Sequence, residues 1–221
     1  MSALTAVERR EQLVALYHEA RDCTLCPLSQ TRTKLVFGAG NADADLMFVG
    51  EAPGQQEDLQ GVPFVGRAGK LLDQLLSEVG LERGDVFIAN VLKSRPPGNR
   101  DPAPEEIEAC KPYLFRQVEL IEPKVICTLG NFATKLLTRS NRGITSVRGK
   151  PQLHELGARW VRIYPLFHPA AALRTTRVLE ELRQDFAGLP PLLAEPAPTA
   201  PGQTPAPEPV PELPPQLDLF E

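Results

Sequence analysis

The chain has 221 residues, 42% of them hydrophobic, which is enough for one substantial core or two small ones. No apolar run approaches the roughly 18 residues of a membrane span, and the charged N-terminus lacks a signal-peptide apolar stretch, so a cytoplasmic protein with no membrane partner is expected. The formal net charge of −4 is unevenly placed: the tail glutamates and aspartate at 195, 208, 212, 218 and 221 removed, 24 basic residues face 28 − 5 = 23 acidic ones, and a body of +1 does not exclude nucleic acid.

In chain order, Thr5-x-x-Glu8 has the form of a capping box opening a first helix, with Leu13, Leu16, Tyr17 and Ala20 on one face. Short apolar runs at 46–49, 86–90, 125–129 and 161–167 predict strands. Helical patterns at 68–79, 104–121 and 131–138 lie between them. This alternation predicts an α/β layered domain around a mainly parallel sheet buried on both faces. Ligands in such sheets lie beyond the carboxyl ends of the strands. Three polar segments belong there: the loop at 50–69, the segment after Val91, and the segment after Phe167. The first of these holds five glycines and two prolines between an apolar and an amphipathic run, the composition of a functional loop.

Past Leu189 the character changes. Eleven prolines fall in the 26 positions from 190 to 215, a composition that predicts an extended, unfolded linker. The chain is therefore divided into a domain at 1–188, a linker at 189–215 and a short apolar terminus at 216–221. No internal repeat is found.

Four cysteines remain to be placed. Cys23-x2-Cys26 follows the first helix, and Cys110 and Cys127 come later. Disulfides are unexpected in the cytoplasm, and the C-x2-C spacing lets two thiolates chelate one centre, so an all-thiolate metal site is expected over four unrelated thiols. Spacing alone does not separate zinc from a [4Fe–4S] cluster. The gap between the second pair is too wide for a zinc ribbon, which favours iron–sulfur.

The block GEAPG-x5-Q-G-x-PFVG-x-AG from Gly50, NVLKSRPPGNRDP from Asn90 and FHPAAALR from Phe167, with this cysteine pattern, resembles the family-4 uracil-DNA glycosylases. The resemblance spans roughly residues 23–186. It implies a three-layer α/β/α sandwich with a small, mainly parallel central sheet. It also implies a [4Fe–4S] cluster on Cys23, Cys26, Cys110 and Cys127, and monofunctional removal of uracil from DNA, leaving an abasic site. Family members often carry a cysteine where Ser94 stands, a position outside those four.

The residues give that chemistry a rationale. An enzyme acting on a base within a duplex flips it into a pocket and reads its Watson–Crick edge. Asn90 can donate to uracil O4 and accept from N3–H, a pattern that cytosine reverses. The resemblance makes Phe64 the stacking platform. His168 would donate to O2 of the leaving base, with help from backbone N–H groups of the Gly50 loop. Glu51 and Glu57 are the carboxylates for aiming water and stabilising the sugar cation. Ala52 stands where family-1 enzymes carry an aspartate, and Gly54 where they carry a tyrosine, so Glu57 is also a candidate to exclude the thymine methyl.

DNA phosphates are assigned to Lys93, Arg95, Arg100, Arg148 and Arg174, and the wedge that fills the emptied stack to Leu173. At the terminus Gln216, Leu217, Leu219 and Phe220 resemble the short motif by which bacterial repair proteins dock on the sliding clamp. A monomeric, nucleoid-associated enzyme is expected. The alternatives are an iron–sulfur electron-transfer protein, which leaves Glu51, Phe64, Asn90 and His168 without a role, and a nucleotide-binding enzyme, for which no phosphate-loop pattern is present.

Overall fold

The most apolar runs pair in the middle of one sheet, where both faces are covered. The computed structural model describes residues 4–157 and 159–200. Its strands are β1 (Ala39–Gly40), β2 (Leu46–Gly50), β3 (Phe87–Asn90), β4 (Val125–Leu129), β5 (Gln152–Leu156) and β6 (Arg159–Leu166), in the order β1-β3-β2-β4-β6-β5. The inner four are parallel, and β1 and β5 pair antiparallel at the edges. Every residue of β2, β3 and β4 is buried, as expected of parallel strands covered on two faces.

The helices are α1 (Ala6–Arg21), α2 (Gln55–Gln60), α3 (Arg67–Glu78), α4 (Pro104–Ile121), α5 (Asn131–Thr138), α6 (Ile144–Val147), α7 (Pro169–Ala172), α8 (Thr176–Ala187) and α9 (Leu189–Ala194). Leu13, Leu16, Leu114 and Leu137 from α1, α4 and α5 pack with Met47, Val49, Ala89 and Ile126 on one face of the sheet. On the other face Leu72, Leu75, Leu182 and Phe186 from α3 and α8 pack with Phe48, Ile88, Cys127 and Leu166. Successive strand residues thus serve opposite cores, and the three layers are α/β/α.

Local chemistry sets the ends of these elements. Thr5 and Glu8 close the reciprocal cap, with Thr5 N donating to Glu8 Oε2 at 2.8 Å and Glu8 N donating to Thr5 Oγ1 at 3.3 Å. Arg9, 8% exposed, donates to the carbonyls of Leu120 and Ile121, which docks α1 on the otherwise unpaired C-terminal end of α4.

The structure departs from the sequence expectation in several places, among them helices α6, α7 and α8, which the sequence reading did not include. The 50–69 loop contains a helix, α2, that begins with no side-chain cap. The edge strands β1 and β5 were not legible, because one is two residues long and the other mixes polar and apolar residues. The linker does not begin at residue 189, since α9 occupies Leu189–Ala194 with Leu189 and Leu192 buried. Pro190 and Pro191 sit in its first turn, where a missing N–H costs little. Among the described residues no helix is long and apolar enough to cross a membrane.

Candidate active site

A cavity of about 390 Å³ opens beyond the carboxyl ends of β2, β3 and β6. Glu51, Ala52, Gly54, Glu57, Phe64, Asn90 and His168 all line it. Gly50 and Asn90 end β2 and β3 as paired residues, and His168 follows the end of β6. The parallel register therefore delivers three distant segments to one place.

Asn90 is 2% exposed, and its Oδ1 is buried with no hydrogen-bond partner among the described residues. An unpaired buried acceptor costs on the order of 1–3 kcal/mol, so this atom is held ready for a donor that arrives from outside. Gly50 makes room for it: a Cβ there would lie 2.3 Å from Asn90 Oδ1 and 2.8 Å from Phe64 Cζ.

Phe64 is buried with φ of 53°, a left-handed conformation that costs energy for a bulky residue. Its ring stacks on His168 with centroids 5.6 Å apart at 26°. Two devices hold the strained segment. Glu57 Oε1 accepts from the backbone N–H groups of Val65 and Gly66, each at 3.0 Å. Arg83 donates to the carbonyls of Phe64, at 3.1 Å, and Pro63, and pairs with Asp73 at 2.8 Å. Nothing local in the sequence marks Arg83 for this role, because its partners lie ten to twenty residues earlier. Gly69 completes the support, since a Cβ there would meet the Phe64 carbonyl at 1.7 Å.

His168 caps α7, its Nδ1 accepting from Ala170 N at 3.1 Å. The ring proton is thereby left on Nε2, which is free to donate. Burial pulls the imidazole down to about 4, against an opposing pull from Glu57, so the ring is neutral at physiological pH. Burial first, and the nearby Asp101 second, raise the Glu51 carboxyl above the ordinary glutamate range.

The basic residues divide. Lys93 is 1% exposed, with Nζ donating to Asn90 O at 2.8 Å and Gln117 Oε1 at 2.6 Å. It is a pillar beneath Asn90 and cannot reach a phosphate, which corrects the expectation for it. Arg148 is also turned inward, forking onto Asp185 at 2.9 Å twice, donating to Glu181 O and covering the Phe167 ring at 5.3 Å. Arg100 lines the cavity mouth, and its charge is matched by the buried Glu106 at 2.5 Å. Arg95 donates to Asn99 Oδ1 at 2.7 Å. Arg174 is exposed, and Leu173 is a 39% exposed apolar side chain beside the α7 loop. Gln216, Leu217, Leu219 and Phe220 lie outside the described residues.

The cysteines do not form one group. Cys23, Cys26 and Cys110 line a second cavity, on the α1–α4 side of the sheet. Cys127 lies on β4, fully buried in the opposite core among the α3 and α8 side chains. On β4, Ile126 serves the first core and Cys127 the second, so the sheet itself stands between Cys127 and the other three. The expected set of four cysteine ligands is corrected on that ground. Burial also pushes the Cys127 thiol well above its ordinary value, which suits an inert core residue. Among the described residues no three histidine, cysteine or acidic side chains close around a single metal ion. The three thiols line one cavity, so their donors are available to a shared thiolate-bound centre.

Comparison with known proteins gives a consistent picture. Residues 37–187 match the Uracil DNA glycosylase superfamily. The chain is 46% identical over 193 residues to a Type-4 uracil-DNA glycosylase of Archaeoglobus fulgidus, covering 86% of this chain and 97% of that one. It is 47% identical to the Sulfurisphaera tokodaii protein of the same name, over 80% of this chain and 82% of the relative. With the Type-4 uracil-DNA glycosylase of Thermotoga maritima it shares 48% identity, over 75% of this chain and 85% of that protein.

Proposed function

This chain belongs to the uracil-DNA glycosylase superfamily and is a hydrolase of N-glycosyl bonds in its type-4 branch, and from that premise we propose how its own residues take uracil out of DNA. The observation that carries the assignment is the unpaired Asn90 Oδ1 in the cavity. A flipped uracil supplies the missing donor through N3–H, while the Asn90 amide N–H donates to O4. Cytosine has a lone pair at N3 and an amino group at C4, so it would leave both groups of the asparagine opposed.

Phe64 stacks on the ring. As the N1–C1′ bond breaks, negative charge gathers on uracil O2, where the Nε2–H of a neutral His168 donates. A water oxygen bonds to C1′, one of its protons passes to Glu51, and the departing uracil anion takes its proton from solvent. The Glu51 carboxylate also stabilises the cationic sugar. Glu57 is a positioning residue, since its Oε1 is committed to the Phe64 segment; its Oε2 faces Gly54 at the cavity wall, where it crowds C5 of the base. Ala52 keeps that wall low. Arg95, Arg100 and Arg174 border the DNA path, and Leu173 is the wedge.

The donor chemistry of Cys23, Cys26 and Cys110 fits the iron–sulfur group that the family implies. Bound there, such a centre would cross-link α1 to α4, and no step of the hydrolysis runs through it. The 216–221 segment is proposed to dock on the sliding clamp, raising the enzyme's local concentration at replicating DNA.

Single-turnover excision from a uracil-bearing oligonucleotide tests the site. Asn90→Ala and His168→Ala should each slow the reaction by about 10²–10³, with DNA affinity little changed. Excision at the wild-type rate by either variant would remove the role assigned to that residue.

A further inference from the structure

Among the polar side chains that share the cavity with Cys23, Cys26 and Cys110 are Ser94, Arg32 and Tyr113. Ser94 lines it and is only 3% exposed. The backbone that carries Ser94 is pinned against the site, because the Lys93 N–H donates to Cys110 Sγ at 3.5 Å. Arg32 lines the cavity beside it. Its Nη1 lies 3.4 Å from Ser94 Oγ, and its Nη2 donates to the carbonyls of Cys23 at 3.0 Å and Arg21 at 2.7 Å. A guanidinium at this position offsets the negative charge that three thiolates bring. The remaining cysteine, Cys127, is cut off by the sheet.

We propose that Ser94 occupies the fourth ligand position of this site, so that the chain holds a four-iron, four-sulfide cluster with three thiolate-bound irons and one iron facing a serine hydroxyl. The inference rests on the iron–sulfur reading of the three cysteines and goes beyond it in naming the fourth corner. Oxygen is a harder ligand than sulfur, and a serine hydroxyl resists deprotonation, so the iron at that corner is the weakly held one. Mild oxidation should then remove one ferrous ion and one electron, the electron passing to the oxidant. A three-iron, four-sulfide cluster stays behind on Cys23, Cys26 and Cys110.

The full-length protein, purified or reconstituted without oxygen, is titrated with ferricyanide and followed by iron and sulfide analysis and by electron paramagnetic resonance. Wild type should lose one iron in four and develop the signal of a three-iron cluster. Ser94→Cys should keep all its iron and stay silent under the same treatment. Cys127→Ala should behave as wild type. Should Ser94→Cys not fold, wild type and Cys127→Ala decide the matter alone. A wild-type cluster that resists the oxidant, or loss of the cluster in Cys127→Ala, would overturn the assignment of Ser94 while leaving an iron–sulfur centre in place. A wild-type protein that takes zinc and no iron would overturn both.

Discussion

At the scale of single residues, His168 shows how one hydrogen bond and burial set the state of the group proposed to donate to the leaving base. The Ala170 N–H fixes the tautomer, and burial holds the ring neutral down to about pH 4. Nitrogen chemical shifts of labelled histidine should therefore show no titration of His168 between pH 5 and 8; a midpoint near the ordinary histidine value would contradict the environment described. The folded value lies below the unfolded one. Between the two, the unfolded chain binds a proton that the folded chain does not, so this group's contribution to stability is whole above about pH 6.5 and is lost progressively toward pH 4. Asn90, Phe64 and His168 were legible in the sequence because each lies within a continuous block of unusual residues. Lys93 and Cys127 were not. A lysine beside arginines reads as surface charge, and only the fold turns it inward onto Gln117. Which core Cys127 enters depends on strand parity, which spacing between cysteines does not report.

At the scale of elements, the 50–69 segment is a built wall rather than an open loop. Five glycines first suggest freedom, yet two of them serve close packing: Gly50 clears the Asn90 and Phe64 side chains, and Gly69 clears the Phe64 carbonyl. Gly69→Ala should cost about 1–3 kcal/mol by overpacking and should weaken excision through displacement of Phe64, as read by urea denaturation alongside single-turnover rates. Arg83→Met removes the two backbone contacts behind Phe64. It should cost about 1.5–3 kcal/mol and raise KM for uracil-DNA, while a far weaker effect on the more distant Asp73→Asn would separate the backbone contacts from the ion pair. Unchanged stability and kinetics in Arg83→Met would show that the strained conformation is held without it. The helix α2 inside this segment escaped the sequence reading because it is six residues long and opens without a capping side chain.

At the scale of the whole molecule, a parallel sheet gathers the active site at one end while two cores, one per face, hold it rigid. The cavity lined by Cys23, Cys26 and Cys110 belongs to one core and Cys127 to the other, so a centre bound there would brace α1 and α4 at a place separate from the cavity at the strand ends. The α/β/α layering followed from the alternation of apolar runs with amphipathic ones; the end of the domain did not, because prolines in the first turn of α9 resemble the proline-rich sequence that follows. A chain ending at Ala200 should keep full stability and excision but lose capture by the sliding clamp. A chain ending at Gly188 should also lose melting temperature, because Leu189 and Leu192 leave the core. Clamp capture by the chain truncated after Ala200 would overturn the role given to the terminal segment. The central claim is most directly tested by incubating the purified protein with otherwise identical oligonucleotides bearing uracil, cytosine or thymine at one position, then cleaving abasic sites with alkali. Strand scission at uracil alone is the expected result; intact uracil strands, or equal scission at cytosine, would contradict the function assigned to Asn90 and the cavity around it.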